Sequence, residues 1–207
     1  MNLNPCMMEE VKKICTYDSV DLSAKLQKGA AVIFPTDTLP ALASCPLFAS
    51  QLWEIKRRPA NKPFILMGSN SNQLFEYISK KALKDAQLMA KKFWPGALTM
   101  VLPASGGIVE ALNPGESNLG MRVPACELAI DLLSRSGPLA TTSANLSGEL
   151  PSTNAKDAAK NFPELPLLGP LPWPSASGLA STVILWRSSG RWQVLRSGSL
   201  TLEVGSN

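Results

Sequence analysis

Short apolar runs alternate with amphipathic stretches along most of this 207-residue chain. A run such as 30–34 is too short for a helix and too apolar for a loop, which is typical of a buried strand. The stretches between the runs repeat their apolar residues at helical spacing. The predicted strands are 30–34, 64–67, 98–102, 119–123 and 138–142, and the predicted helices are 19–28, 48–57, 71–78, 84–94, 126–135 and 154–160. This alternation predicts an α/β domain.

The last part of the chain has a different pattern. Five prolines between residues 163 and 174 predict a loop or lid without regular structure as far as Gly178, because proline lacks a backbone N–H. Two apolar runs around a Ser-Ser-Gly turn, 181–186 and 191–196, predict a β-hairpin. We therefore predict an N-terminal arm over residues 1–17, one domain over 18–200 and a C-terminal tail over 201–207.

Three clusters of small polar residues are candidate ligand loops. They are Thr36-Asp37-Thr38 after the first predicted strand, the stretch 141–148 at the end of the strand 138–142, and Ser181-Thr182. Polar loops at strand ends are where α/β proteins commonly bind ligands. The alternative for 141–148 is a plain Ser/Asn turn closed by a glycine.

Histidine is absent from the sequence. Its absence excludes Ser-His-Asp triads, Cys-His dyads and HExxH zinc sites. The four cysteines are scattered without a CxxC pair, which indicates a reducing compartment and neither a disulfide framework nor a zinc site. No apolar run has transmembrane length, and the N-terminus lacks the form of a signal peptide, so we expect a cytoplasmic protein without a membrane partner.

Basic residues near element ends are candidate anion ligands: Lys56, Arg58, Lys62, Arg122 and Arg196. With hydroxyl and amide side chains and no histidine, they predict a site for a phosphorylated or carboxylated ligand. Any one of them is more often a solvated surface charge. Because the chain has no GxxxxGK[ST] and no GxGxxG, side-chain cations would have to neutralise phosphates.

Two further observations concern metal and nucleic acid. Asp37 is the one carboxylate in a prominent loop, and two roles fit it: binding Mg²⁺ through water, or capping a turn. The net charge of +4 suits a nucleotide or polyanion but is small for a dedicated nucleic-acid binder. The five tryptophans do not cluster along a basic stripe of sequence, which argues against a stacking platform for single strands.

Seven short motifs occur in a fixed order between Leu22 and Gly198. They are Phe34-Pro35-Thr36-Asp37-Thr38, Lys56-Arg57-Arg58-Pro59 with Lys62-Pro63, Trp94-Pro95-Gly96-Ala97-Leu98-Thr99, Met121-Arg122-Val123-Pro124, Ser143-Ala144-Asn145-Leu146-Ser147-Gly148, Ser181-Thr182-Val183-Ile184 and Leu195-Arg196-Ser197-Gly198. Each motif alone is weakly specific. In this order they resemble the signature set of YrdC-type threonylcarbamoyl-AMP synthases.

The resemblance implies a twisted open mixed sheet flanked by helices around a large concave basic cavity. It implies an L-threonylcarbamoyladenylate synthase, a nucleotidyltransferase that joins L-threonine, bicarbonate or CO2, and ATP with Mg²⁺, and that releases pyrophosphate. The product serves threonylcarbamoyladenosine modification of tRNA. The implied partners therefore include the downstream transfer machinery and tRNA or double-stranded RNA.

The resemblance also implies roles for single residues. The implied catalytic residues are Lys56 and Arg58. The implied ATP- and phosphate-binding residues are Lys56, Arg58, Lys62, Arg122, Asn145, Thr153, Thr182 and Arg196. The implied threonine-binding residues are Thr36, Thr38 and Ser143. No protein side chain is implied as a direct metal ligand, and Asp37 would act through water.

Three positions depart from the family pattern. Pro40-Ala41 stands where Tyr-Gly is common, Met67 where a histidine is frequent, and Leu185 where an aspartate is common. Changes at 40 and 67 would reshape the threonine pocket. Two alternatives therefore stay open: a non-catalytic YrdC-like module that binds RNA or a nucleotide, and a carbamoyl transferase that uses another amino acid or carbamoyl phosphate.

Overall fold

The computed structural model describes residues 14–59 and 62–202. Most of the predicted N-terminal arm and most of the predicted C-terminal tail lie outside these ranges, so the domain boundaries stay predictions. No helix in the described ranges combines the length and the apolar composition needed to cross a membrane.

The described strands form one open mixed sheet. They are β1 Thr16–Tyr17, β2 Val32–Phe34, β3 Ala41–Ser44, β4 Ile65–Met67, β5 Leu98–Pro103, β6 Asn118–Arg122, β7 Leu139–Ser143, β8 Leu167–Leu168, β9 Thr182–Ser188 and β10 Arg191–Arg196. Their order across the sheet is β1-β8-β2-β3-β7-β4-β6-β5-β9-β10. Four neighbouring pairs run parallel, namely β1/β8, β2/β8, β4/β6 and β5/β9, and the others run antiparallel. The predicted open mixed sheet is confirmed.

Helices flank this sheet. They are α1 Ser19–Gln27, α2 Ser50–Lys56, α3 Ser71–Phe75, α4 Lys80–Phe93, α5 Gly107–Leu112, α6 Glu127–Ser136 and α7 Ala155–Asn161. The side chains of Asp18, Asn70 and Asn154 accept backbone N–H groups at the starts of α1, α3 and α7. Such caps satisfy donors that the first helical turn leaves free.

Several sequence predictions were wrong in detail. The strand β3 and the helix α5 were not predicted, and the predicted helix 48–57 begins at Ser50 after a 3-10 turn at Pro46–Phe48. The predicted irregular passage 163–178 contains β8. Leu167 and Leu168 keep their backbone N–H groups between prolines, and Leu167 N donates to the carbonyl oxygen of Cys15 at 3.0 Å.

The two faces of the sheet are covered differently. Successive strand residues point to opposite faces, so Leu66 and Ala140 join one core while Met67 and Leu139 join the other. The second core packs under α1 and α6 through Leu22, Leu26, Leu132 and Leu133. Further along the same face, Ile65 and Thr141 line an open cleft instead. The cleft therefore continues the sheet face that α1 and α6 cover elsewhere.

A tight turn after β10 lies against the start of β9. Gly198 N donates to Thr182 Oγ1 at 2.9 Å, and Thr182 Oγ1 donates to the carbonyl oxygen of Leu200 at 2.5 Å. A Cβ atom on Gly198 would overlap the carbonyl oxygen of Ala180 and the backbone of Ser181. Only glycine allows this approach.

We predict that Gly198→Ala destabilises the fold by about 2 kcal/mol or more, because the new methyl group meets backbone atoms that cannot rotate away. Urea denaturation would measure the change. Gly107→Ala is the matched control, since a Cβ atom there meets nothing within 4 Å. An unchanged denaturation midpoint for Gly198→Ala would contradict the close contact.

Candidate functional site

The open part of the sheet face forms a cleft of about 270 Å³. Its lining combines hydroxyl groups, three arginines and an apolar strip. The lining residues are Thr36, Thr38, Leu39, Pro40, Ala41, Arg58, Pro63, Ile65, Met67, Arg122, Thr141, Thr142, Ser143, Pro151, Ala180, Ser181 and Arg196. Three of the predicted polar loops therefore meet at one place, as expected from the sequence.

Arg122 at the end of β6 organises one wall of the cleft. Its side chain is only 5% exposed, and its three nitrogens all donate: Nε to the carbonyl oxygen of Gly96 at 3.0 Å, Nη1 to Thr38 Oγ1 at 2.7 Å and Nη2 to Asp37 Oδ1 at 2.7 Å. Burial lowers the pKa of Arg122, and the adjacent Asp37 carboxylate opposes this shift. The buried guanidinium is thus paired and hydrogen-bonded, which a buried charge requires.

The hydroxyls of Thr36 and Thr38 continue this network. Thr36 Oγ1 donates to the carbonyl oxygen of Leu39 at 2.7 Å, and the two hydroxyl oxygens lie 3.0 Å apart. Since the single Thr36 proton goes to Leu39, the Thr38 hydroxyl donates to Thr36 while it accepts from Arg122. The loop after β2 is therefore fixed in the cleft wall without a ligand.

Asp37 acts as a structural partner in this arrangement. Its Oδ1 also accepts from Ala125 N at 3.0 Å, and its carbonyl oxygen accepts from Ser177 N at 3.0 Å. The proline-rich passage is thus held against the cleft wall near Asp37. Within the described ranges, no group of three or more His, Cys, Asp or Glu side chains is placed to hold a metal ion.

Arg58 and Arg196 line the cleft with part of each guanidinium uncommitted. Arg58 donates from Nε to the carbonyl oxygen of Lys62 at 3.2 Å and from Nη2 to that of Pro63 at 3.0 Å. Arg196 donates from Nε and Nη2 to the carbonyl oxygen of Ser181 at 3.2 and 2.9 Å. Among the described residues, nothing accepts a hydrogen bond from Nη1 of either arginine. Both Nη1 groups are therefore available to an anion.

Arg57, which has left-handed backbone angles at the end of α2, separates Lys56 from Arg58. Arg57 has φ 51° and ψ 45°, and Arg58 N donates to the carbonyl oxygen of Trp53 at 2.8 Å. This turn ends the helix in the usual left-handed way, although a non-glycine residue occupies it. As a result Lys56 is buried inside the fold while Arg58 lies in the cleft.

Lys56 holds the loop after β7. Its side chain is 1% exposed, and Nζ donates to the carbonyl oxygen of Ser143 at 2.5 Å and to Asn145 Oδ1 at 3.4 Å. Its carbonyl oxygen accepts from Ser147 N at 3.0 Å. Burial, and secondarily the charge of Arg58, lowers the pKa of Lys56 to about 7. Lys56 does not line the cleft, so its assignment to phosphate stays a prediction.

Asn145 closes the same loop on itself. Its Oδ1 accepts from Ser143 Oγ at 2.6 Å, and its Nδ2 donates to the carbonyl oxygens of Leu146 and Glu149 at 2.9 and 2.8 Å. Ser143 lines the cleft, whereas Asn145 is buried behind it. The 141–148 stretch is therefore both an internally bonded turn and a wall of the cleft.

The remaining predicted residues lie in different places. The Lys62 side chain is exposed outside the cleft lining, and the Thr182 hydroxyl is used by the turn after β10. Thr153 lines an adjoining cavity of about 560 Å³. This second cavity shares Thr36 and Pro40 with the cleft, and Trp173 and Lys156 also line it.

The sequence predicted Ser181-Thr182 as a ligand loop and assigned ATP binding to Thr182, but Ser181 is the residue of this pair that lines the cleft. Ser181 Oγ lies 2.8 Å from Thr99 Oγ1, on the cleft side of the sheet. The alternation of side chains along β9 would have indicated that only one of the pair faces the cleft. Of the three departures from the family pattern, Pro40 and Met67 line the cleft and Leu185 does not.

The buried amine of Lys56 predicts a pH-dependent stability. Its pKa is about 7 in the folded protein against an ordinary 10.5, so the unfolded chain binds more protons between these values. Stability therefore rises as pH rises from 7 to 10.5, by up to about 5 kcal/mol, and is lost again as pH falls through this window. In Lys56→Met this contribution disappears. Urea unfolding of both proteins between pH 7 and 10 measures it, and parallel stability curves would contradict the burial of a titrating amine.

Comparisons with known proteins concern the family and the fold of this chain. The Sua5/YciO/YrdC family model, described as telomere recombination, matches residues 24–198. Threonylcarbamoyl-AMP synthase of Pyrococcus abyssi (strain GE5 / Orsay) is 36% identical over 141 residues, which are 66% of this chain and 41% of that protein. The human protein of the same name is 31% identical over 185 residues, 84% of this chain and 65% of that protein. The chain thus spans less than two thirds of either relative.

Solved structures show the same fold. P. abyssi Sua5 complexed with L-threonine has a TM-score of 0.81 and 31% sequence identity, over 89% of this chain and 55% of that one. E. coli YciO has a TM-score of 0.75 and 22% identity, over 89% of this chain and 91% of that one, a likeness of fold. Because the family model covers most of its length, the chain belongs to the Sua5/YciO/YrdC family.

Proposed function

We propose that this protein makes L-threonylcarbamoyl-AMP from L-threonine, bicarbonate or CO2, and ATP, with release of pyrophosphate, for threonylcarbamoyladenosine modification of tRNA. Family membership and the names of the relatives support the proposal, as does the L-threonine bound by P. abyssi Sua5. The observation that carries it is the convergence of hydroxyl groups with the free Nη1 groups of Arg58 and Arg196 in one cleft.

The chemistry needs no nucleophile from the protein. The amine of threonine attacks the carbon of CO2, so that an N–C bond forms and one proton leaves. An oxygen of this carbamate then attacks the α-phosphorus of ATP, the bond to the bridging oxygen breaks, and pyrophosphate departs. A protein without histidine can support both steps by aligning the anions and neutralising their charge.

The two adjoining cavities suggest how the substrates are arranged. In this proposal the cleft holds threonine against Thr36, Thr38 and Ser143, and Arg58 and Arg196 neutralise its carboxylate and the phosphates. The larger cavity holds the nucleoside beside Thr153 and Trp173. Because both cavities share Thr36 and Pro40, the carbamate and the α-phosphate would lie next to each other.

Buried residues of the motifs receive a positioning role in this proposal. Lys56 and Asn145 hold the loop that presents Ser143, and Thr182 holds the turn that follows Arg196. Arg122 holds Thr38 and is neutralised by Asp37. These side chains do not contact the substrates in this proposal; they hold the residues of the cleft walls that do.

Mg²⁺ fits this site as a companion of ATP. Asp37 Oδ1 is already engaged by Arg122 and Ala125 N, which leaves one carboxylate oxygen for a water-mediated contact. The phosphates of ATP would supply most of the oxygen ligands. The ion would withdraw charge from the phosphates and so favour attack at the α-phosphorus.

A second candidate is a YrdC-like module that binds a nucleotide or RNA without turnover. The observation that favours it is the position of Pro40 and Met67, where the chain departs from the family pattern, in the lining of the cleft. This candidate requires binding of ATP with no release of pyrophosphate.

The proposed reaction predicts pyrophosphate release that requires ATP, L-threonine and bicarbonate together. Arg58→Ala should lower the rate about 100-fold, because one fixed donor to a developing anion is lost. Arg135→Ala is the matched control, since Arg135 pairs with Asp131 on the solvent side of α6, and its rate should be unchanged. A coupled assay of pyrophosphate measures all three proteins.

The outcomes separate the candidates. No pyrophosphate release under Mg²⁺, with ATP binding retained, would favour the non-catalytic module. Pyrophosphate release that depends on a different amino acid, or on carbamoyl phosphate in place of bicarbonate, would indicate a related reaction instead of threonylcarbamoyl-AMP synthesis. Equal rates of pyrophosphate release for Arg58→Ala and Arg135→Ala would contradict the proposal that the reaction takes place in the cleft.

A further inference from the structure

Helix α4 carries a concentrated positive charge. Its 14 residues contain five lysines and one aspartate, a net charge of +4 that equals the formal net charge of the whole chain. All five lysines, Lys80, Lys81, Lys84, Lys91 and Lys92, are exposed. Basic and acidic residues balance over the rest of the sequence, so the charge of the protein is localised on this helix.

Three of these lysines form a stripe along the helix. Lys80, Lys84 and Lys91 follow one another with Gln87 between them at spacings of three and four residues, which places all four on one face. The opposite face is buried through Ala82, Ala86 and Ala90. With a rise of about 1.5 Å per residue, the stripe is about 16 Å long.

Within the described ranges no lysine of the stripe forms an ion pair with a carboxylate, although the charges of Lys84 and Asp85 interact. The two side-chain ion pairs found in the described ranges both involve arginines, Arg122 with Asp37 and Arg135 with Asp131. The carboxylate of Asp85, on the same helix, accepts instead from Trp186 Nε1 at 2.7 Å and from Gly190 N at 2.8 Å. The stripe therefore presents unpaired cations to solvent.

The stripe ends at a cavity of about 340 Å³. Gln87 and Lys91 belong to both. The other lining residues are Ser69, Asn70, Ser71, Asn72, Phe75, Ala90, Trp94, Pro95 and Val123. Phe75 and Trp94 stack with ring centroids 5.9 Å apart, and the side-chain amides of Asn72 and Gln87 make no hydrogen bond within the described residues. Aromatic surface, free amides and a lysine are the groups that bind a nucleobase and its phosphate.

This cavity is separate from the cleft. Val123 lines the cavity, whereas its neighbour Arg122 lines the cleft, so the end of β6 divides the two. A ligand in the cavity would not occupy the proposed threonine or ATP sites. The fold also brings Trp94 close to Lys91 at the end of the stripe. The spacing of the tryptophans along the sequence does not show this proximity.

We propose that the α4 stripe and this cavity bind a single-stranded nucleic acid, with one base in the cavity and successive phosphates along the lysines. A mononucleotide would use Lys91 alone, whereas a stripe about 16 Å long fits the backbone of several nucleotides. Lysines that contact phosphates add affinity without reading sequence, so binding is sensitive to salt and tolerant of sequence.

The test is fluorescence anisotropy with a labelled oligouridylate of about twelve nucleotides at low salt. Lys84→Glu/Lys91→Glu should weaken binding at least about tenfold and lower the slope of log affinity against log salt by about 1.4. Lys28→Glu/Lys160→Glu, which makes the same change of charge at exposed positions outside α4, should weaken it less than about twofold. Both double variants should keep the wild-type rate of pyrophosphate release, and both should lose a little thermal stability, because each places a carboxylate at the C-terminal end of a helix.

A second arm tests the cavity. Asn72→Ala/Gln87→Ala should weaken oligouridylate several-fold while the salt slope stays unchanged, because the amides contact the base and not the phosphates. The proposal is overturned if both charge-reversed variants weaken binding equally, since attraction is then diffuse. It is also overturned if uridine monophosphate competes as well as the oligonucleotide, or if polyglutamate binds and oligouridylate does not.

Discussion

The buried ion pair between Arg122 and Asp37 is the contact on which the shape of the cleft depends. A guanidinium on a side chain that is only 5% exposed would cost several kcal/mol without a partner, so the end of β6 and the loop after β2 must come together. The same arginine holds Thr38 and the carbonyl oxygen of Gly96, and the same aspartate holds Ala125 N. One pair thus joins three segments that are far apart in sequence.

Lys56 fixes the opposite side in a comparable way, through Ser143 and Asn145. Both walls are therefore set by protein contacts, while Arg58 and Arg196 keep guanidinium donors for a ligand. Such preorganisation reduces the cost of ordering side chains when anions bind. It suits the proposed chemistry, in which the substrates supply both the nucleophile and the leaving group.

The sequence predicted those features that depend on local pattern. Apolar runs located β2, β4, β5, β6 and β7, and the motifs located the loops that meet at the cleft. The strand β3 was missed because Ala41–Ser44 has no β-branched residue and is stabilised by its neighbours β2 and β7. Whether Lys56 meets a ligand or Ser143, 87 residues away, depends on tertiary packing that local pattern does not contain.

In the proposed reaction, threonine, bicarbonate and ATP react in this cleft without a covalent protein intermediate. The most direct measurement is the mass of the product formed from ¹³C-bicarbonate, L-threonine and ATP. The proposed reaction predicts one product that contains AMP, threonine and a single labelled carbon, with one pyrophosphate released for each molecule formed. A threonine–AMP adduct without the label, or label retained on the protein, would contradict it.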